Sequence, residues 1–507
     1  MVSYISEKQL TITEFKTPFK ANLLPDNRWV KLAEIVPWDT FAKLYLSMMD
    51  ASQGRPIISP RIVLGALIIK HKENLSDEKT IQAIQENIYM QFFVGLSGFQ
   101  TKVIFDSSLF VSIRKRLGKS DFDVLNARLI KSLSQKKDTQ NISKKKDADK
   151  YPPNKGKMQA DATVADQYIT YPTDSKLLNS SRIKLDEMID KLYVYHDKKM
   201  SKPRTYCRVL NIEFLNYSQK KNKKLSVHRK MNRKLLESVN RNLKFVKTML
   251  PEPSDLVMGK EYPLSKKDLD LLDIIEQVYW QQKQMFDSKT NTCKQRIVSI
   301  YQAHVRPILR GKQNARIEFG SKLGVSLDNG FALLNHFSWS AYHEGKDLIP
   351  QVKEYFKIHG FYPELVQVDK AYSTRENRAW LKERNIRITA PQLGRKPKKE
   401  ANQYQKAKRK KEAAERNHIE AKFGQGKNGY NLNKIRAKLK ETSESWVSCI
   451  FFVMNLINYQ KKVSFGALFY QLLTQLDDII KVKLLQRWNF NFGIENFKQD
   501  SKFCLHY

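Results

Sequence analysis

The chain has 507 residues, 41% hydrophobic and 11% aromatic, which is apolar material for roughly two to four folded domains and excludes a disordered chain. Lys and Arg number 90 against 52 Asp and Glu, and a net charge of +38 favours a polyanionic partner, nucleic acid first, over a small substrate. Cys207, Cys293, Cys449 and Cys504 have no CxxC or Cys/His spacing, so neither a zinc site nor a disulfide framework is indicated.

The N-terminus MVSYISEKQL lacks an apolar signal core. The longest apolar run, Trp446 to Ile457, is too short for a bilayer and reads as a buried helix. A cytoplasmic, nucleoid-associated protein with no membrane contact and no small-molecule cofactor is expected.

Residues 1–118 read as helical. Ser59-Pro60 opens one helix, and Ser76 with Asp77 and Glu78 opens another that carries Ile81, Ile84, Ile88 and Phe92. A third starts near Ser107-Ser108 and sets Leu109, Ile113 and Leu117 around Arg114, Lys115 and Arg116. Short helices with a basic last member suit a DNA-binding unit of the helix-turn-helix kind, with Arg114 and Arg116 as DNA contacts; a plain helical bundle accounts for them equally well. Residues 119–157 hold SQKKDTQNISKKKDADKYPPNKGK and read as a solvated basic linker.

The period then changes. MQADATVADQYITYP alternates and reads as a strand carrying Asp161. Residues 175–299 read as a basic helical insertion, with an apolar stripe at Leu236, Val239, Leu243, Val246 and Leu250 and a capping box at Ser265 and Asp268. Strands are expected at Val298–Leu309, Ala315–Phe319 and Leu323–Leu327, and Asp328-Asn329-Gly330 is a hairpin turn. A helix ending at Gly360 leads to the strand Leu365-Val-Gln-Val-Asp369. Ser373-x-x-Glu376 caps the next helix, and Ile386-Arg-Ile388 is a further strand. Such a crossover places sites at the carboxyl ends of its strands. After the basic run Arg395–Arg409 comes RNHIEAKFGQGK, where Arg416, Glu420 and Lys427 recur at helical spacing along one face, although Gly424 and Gly426 threaten to end the helix before Lys427.

Three carboxylates on separate elements stand out: Asp161, Asp369 and Glu420. If they converge they repel, and a pair of Mg²⁺ ions about 3.5–4 Å apart resolves the repulsion while clamping an in-line displacement at phosphorus. Asp166 and Asp174 are alternatives to Asp161, and Trp339 and His343 are aromatic candidates for either core or DNA contact. Lys370 and Tyr372, beside Asp369, are further candidate DNA contacts.

These motifs resemble the bacterial insertion-sequence transposases of the DDE type. RNHIEAKFGQGK matches the R-x3-E-x6-K part of their signature, QADATVADQYITYPTDSKLLN is similar to their first-aspartate strand, and ELVQVDKAYSTRENRAWLKE is similar to their second. KIRAKLKETSESWVSCIFFVMNLIN resembles the helix that closes their catalytic domain, and the likeness, running from about Asn27 to Tyr459, is nearest to the insertion-sequence family numbered five. Two positions depart from the pattern: Ala413 stands at the signature's tyrosine, and Ala371 where a glycine often follows Asp-Lys.

The resemblance implies a mixed α/β chain. An all-helical N-terminal DNA-binding domain (1–118) and a basic linker (119–157) would precede an RNase H-like catalytic domain (158–174 and 300–459), split by the insertion 175–299; the tail 460–507 matches nothing. Asp161, Asp369 and Glu420 would be catalytic metal ligands for two Mg²⁺ ions, with Mn²⁺ as a substitute. Arg416 and Lys427 would hold DNA phosphates, and the activity would be cleavage at terminal inverted repeats followed by 3′-OH strand transfer into target DNA, performed by a homodimer. A catalytically inactive DNA-binding derivative, or a nuclease without strand transfer, are the alternatives.

Overall fold

The computed structural model describes residues 15–17, 22–47, 58–138, 153–198, 200–251, 261–309, 317–391, 393–394 and 402–474. At its centre lies β1 (Lys157–Asp166), whose small residues Ala160, Ala162 and Ala165 allow helices to close over both faces. The sheet runs β2 (Arg306–Leu309), β3 (Ile317–Asp328), β1, β5 (Leu365–Gln367), β6 (Arg387–Ile388), with β4 (Phe331–Ser338) also on β3. The β2, β4 and β1 pairings with β3 are antiparallel, whereas β5 and β6 continue parallel to β1.

The two strands expected at 315–319 and 323–327 are one continuous β3. Gly320 lets it run unbroken, because a Cβ there would strike the Ala165 carbonyl of β1. The expected hairpin forms, with Asn329 at φ +48° and Gly330 at φ +81°, the pair of positive values a type I′ turn needs. The strand expected from Val298 is confined to its last four residues in β2.

Among the described residues seven helices come first: α1 (Arg28–Ile35), α2 (Trp38–Leu46), α3 (Pro60–Lys72), α4 (Asp77–Glu86), α5 (Ile88–Phe93), α6 (Leu109–Arg116) and α7 (Lys119–Asp138). The Ile81–Phe92 stripe is split between α4 and α5, because the Asn87 side chain accepts from the N–H groups of Tyr89 and Met90 and starts a new helix. The linker expected at 119–157 begins as helix α7, since Phe122, Leu125 and Leu129 give its first turns an apolar face. Positions 139–152, with most of that low-complexity run, lie outside the described residues, as do 395–401 and 475–507.

Among the described residues the expected insertion forms four helices, α8 (Asp174–Tyr195), α9 (Cys207–Gln219), α10 (Leu225–Met249) and α11 (Lys266–Asp287), around a core of its own that includes Ile189, Leu235, Val239 and Ile275. The capping box at Ser265 and Asp268 is present. After the sheet come α12 (Leu348–His359), closed by Gly360 at φ +79°, then α13 (Arg375–Glu383), α14 (Gln403–Glu415), α15 (Asn417–Gly429) and α16 (Lys440–Thr474). Thr374, one residue past the expected Ser373, caps α13.

The N-terminal helices do not build a core apart from the sheet. Trp29, Phe41, Phe93 and Phe122 belong to the same apolar cluster as Val325, Ile419, Trp446 and Phe452. At about 25 cal/mol per Å² of apolar surface removed from water, that shared burial is a large part of what holds the chain together. Asn455 of α16, fully buried, fastens it: its Nδ2 donates to Asn126 of α7 and to the Ala332 carbonyl of β4, and its Oδ1 accepts from Ala332 N. No helix among the described residues is long and apolar enough to cross a membrane.

Candidate catalytic site

The last residue pair in register between the parallel strands β1 and β5 is Gln159 with Gln367. Two residues on along each strand, and so on the same face, stand Asp161 and Asp369. The two glutamines also aim the next helix. Gln159 Nε2 donates to Gln367 Oε1 (3.0 Å) and to the Glu415 carbonyl (2.7 Å), and Gln367 Nε2 donates to the Glu412 carbonyl (2.9 Å) and Glu415 Oε2 (3.0 Å). This ties the end of α14 to the sheet where α15 starts with Arg416 and Glu420.

Asp161 Oδ1 accepts from the Ala162 N–H (2.8 Å), and Asp369 Oδ1 accepts from the Ala371 N–H (2.8 Å), capping the 3-10 turn Lys370–Tyr372. Arg416 Nη1 lies 3.5 Å from Asp161 Oδ2, while its Nη2 donates to Glu420 Oε1 at 2.8 Å. The guanidinium thus sits between the first and third expected carboxylates. Glu420 is 53% exposed in its side chain, against 16% for Asp161. Burial pushes the Asp161 carboxyl up to about 6; the Ala162 N–H and Arg416 pull it down, and Glu344 and Asp369 push it further up.

Glu344 is the residue that sequence reasoning misses. It begins a 3-10 turn, Glu344–Asp347, and Lys322 Nζ lies 2.8 Å from its Oε1. Asn377 Nδ2 donates both to the Gly345 carbonyl (2.7 Å) and to the Tyr372 carbonyl (2.9 Å), locking Glu344's turn onto the one that follows Asp369. Only its position, in the non-periodic loop after the hairpin, could have drawn attention to it.

Asp174 is paired with Arg296 (2.6 Å) and accepts from Gln282 (3.0 Å) in the insertion, whereas Asp161 lies close enough to Asp369 for its charge to act on it. Lys370 is exposed, and α15 runs through both glycines, so the half-buried Lys427 keeps its helical register. Arg116 is exposed beside the Tyr45 hydroxyl. Trp339 is pinned by its indole N–H to Glu444 Oε1 (2.9 Å), while the exposed His343 turns inward to accept from Gly345 N.

Two expected DNA contacts are corrected. Tyr372 is fully buried, and burial beside Glu344 and Asp161 pushes its hydroxyl far above the ordinary range, so it supports the floor of the site and does not face solvent. Arg114 is 5% exposed and makes a bidentate pair with Asp77 (2.9 and 2.7 Å), because the helix face it shares with Phe110 and Ile113 is turned into the core.

Comparison with known proteins bears on both parts of this arrangement. Residues 366–457, which contain Asp369, Arg416 and Glu420, match the model of the family described as "Transposase DDE domain". Residues 18–116 match "Transposase domain (DUF772)". The two matches support an insertion-sequence transposase of the DDE type. The chain is also 29% identical over 163 residues to "Uncharacterized protein ORF8 in nfe locus" of Rhizobium meliloti, an alignment covering 32% of this chain and 73% of that one. No solved structure matches the transposase.

Proposed function

We propose that this transposase binds the terminal inverted repeats of a mobile element, cuts the strand at the element's end and joins the freed 3′-OH to target DNA. The observation that carries the reading is that Asp161 in mid-β1 and Asp369 just past the end of β5 each follow the registered pair Gln159 and Gln367 by two residues on adjacent parallel strands, with Glu420 linked to Asp161 through Arg416. Three antiparallel strands continued by two parallel ones support an RNase H-like sheet, and membership in the insertion-sequence family numbered five fits the same order of motifs.

The donors are hard carboxylate oxygens, and burial beside Glu344 and Asp369 leaves Asp161 short of positive charge, so the residues suit two Mg²⁺ ions, with Mn²⁺ as a substitute. Asp161, Asp369 and Glu420 would hold them, and bound ions would supply a more acidic water or 3′-OH and a stabilised leaving oxygen. Among the described residues no three His, Cys, Asp or Glu side chains stand close enough together to hold an ion, so Glu420 turns in from the half-exposed position it shares with Arg416. Arg416, released from both carboxylates, then presents its planar fork to a phosphate, with Lys370 and Lys427 as point charges beside it. Two ends cut together call for a homodimer.

The test is purified protein with Mg²⁺ and labelled end-repeat DNA. Asp161→Ala and Glu420→Gln should bind the DNA and fail to cut it; identical products from wild type and Asp161→Ala would overturn the catalytic assignment. The Arg416 bridge also favours a second reading, an inactive DNA-binding derivative in which the arginine permanently fills the place of the cation. Binding without cleavage by the wild type would select it.

A further inference from the structure

Seven residues past Asp161 the chain leaves the sheet, and three tyrosines there stand well out of the fold: Tyr168 is 60% exposed, Tyr171 67% and Tyr301 60%. All three line one groove of about 360 Å³, together with Lys176 and Lys438. Scattered surface rings need no explanation, but three gathered on one concave surface mark a place where something docks.

Along the same edge runs the segment between α15 and α16. The Ile435 N–H donates to the Asp166 carbonyl (2.9 Å) and the Tyr168 N–H to the Ile435 carbonyl (2.8 Å), so the segment lies extended against the exit of β1. Buried Ile435 and Ala437 alternate with exposed Lys434, Arg436, Lys438 and Lys440. Lys434, Arg436 and Lys438 therefore stand about 6.6 Å apart, two extended residues per step, comparable to the step between phosphates of an extended single strand, and Lys440 follows at the start of α16. Lys434 Nζ lies 5.0 Å from the Tyr168 ring centre. Among the described residues none of the four cations forms an ion pair with a carboxylate.

We propose that this groove binds the unpaired bases of a single DNA strand, the tyrosine rings stacking on base faces while the row from Lys434 to Lys440 follows the phosphates. The inference rests on the reading that DNA is cut at Asp161. A duplex stacks its base faces against one another and offers only their edges, so rings that need a face to cover fit an unpaired strand. Four uncompensated cations fit a polyanion and would repel a second copy of this basic chain. Seven residues at strand rise separate Tyr168 from Asp161 by about 23 Å, and an extended strand stepping about 6.6 Å per phosphate spans that distance in roughly four nucleotides, well within an eight-nucleotide tail.

The experiment is fluorescence anisotropy in EDTA, where no cutting occurs, comparing a blunt end-repeat duplex with one carrying an eight-nucleotide unpaired tail that contains 2-aminopurine. The tail should tighten wild-type binding about tenfold or more and quench the 2-aminopurine. The triple change Tyr168→Ala, Tyr171→Ala, Tyr301→Ala should lose that advantage and bind blunt duplex as before, whereas the triple change to Phe should keep it. Replacing Lys434, Arg436 and Lys438 by Ala should flatten the salt dependence of tail binding by about 0.7 in the log–log slope per cation.

Equal wild-type affinity for blunt and tailed DNA overturns the proposal while leaving the catalytic reading intact, as does a triple-Ala protein that keeps both fold, by circular dichroism, and tail preference. Displacement of the tail by polyglutamate as readily as by single-stranded DNA also overturns it, marking a general anion surface. Failure of wild type to bind either DNA removes the underlying reading with it.

Discussion

Two clusters of buried charge are imbalanced in opposite directions. Where α3, α4 and α6 meet α16, one carboxylate serves two cations: Asp77 takes Lys70 (3.0 Å) and the fork of Arg114 (2.7 Å). The surplus positive charge is absorbed within the fold, since Lys70 also donates to the Leu75 carbonyl, and both cations lie over the Trp446 ring, 4.1 and 5.1 Å from its centre. Beside mid-β1 and the end of β5 the surplus is negative. Asp161, Asp369, Glu344 and Glu420 share Arg416 and Lys322, and burial holds Asp161 up near 6. The first cluster is complete by its own chemistry and reads as structure; the second lacks positive charge and reads as a place for an external cation.

The two clusters should therefore respond to mutation with opposite signs. Asp77→Ala leaves two buried cations without a partner and should cost about 3–5 kcal/mol in urea unfolding; a loss below about 1 kcal/mol would mean the rings alone carry Lys70 and Arg114. Asp161→Asn removes a buried charge whose carboxyl is raised by some two pH units, and should leave the protein as stable or up to about 2–3 kcal/mol more stable while abolishing cutting. A destabilised Asp161→Asn protein would place Asp161 with the structural charges.

The pH dependence separates the clusters further. Between about 4 and 6 the folded protein keeps a proton on Asp161 that the unfolded chain has lost, so stability should fall as pH rises through that window. Burial pulls Lys70 down to about 8 from an ordinary 10.5, so between those values the unfolded chain holds the extra proton and stability should rise with pH. Urea midpoints across pH should lose the first limb in Asp161→Asn and the second in Lys70→Met. The smallest effect is expected of Glu344→Gln: its charge adds to the upward push on Asp161, so the acid limb should move to lower pH with little change in overall stability. No movement would leave Glu344 serving Lys322 alone.

Much of this was legible in the sequence because it depends on local chemistry. The caps at Ser76 and Ser265, the Asn329-Gly330 turn, the stop at Gly360 and the strand leading to Asp369 are set by residues within a few positions of each other, whereas Ser59 and Ser108 open their helices without a side-chain cap bond. The adjacency of Asp161 and Asp369 could be expected from crossover geometry and motif order. What escaped depends on distant partners. Arg114 and Tyr372 look like surface contacts until the elements covering them are known, and Glu344 reaches the site only because Asn377 joins two turns far apart in the chain. The cations of 434–440 alternate plainly, yet their meaning came only with the tyrosines brought beside them.

Asn455 has a mechanical consequence. By bonding α7 and β4 at once, it fastens the helix that follows the expected DNA-binding segment 1–118 to the sheet expected to cut DNA. A tool whose handle and blade are one casting has no wrist. If the chain cuts DNA as proposed, the shared core makes bending and fraying of the substrate the expected source of motion between donor end and target.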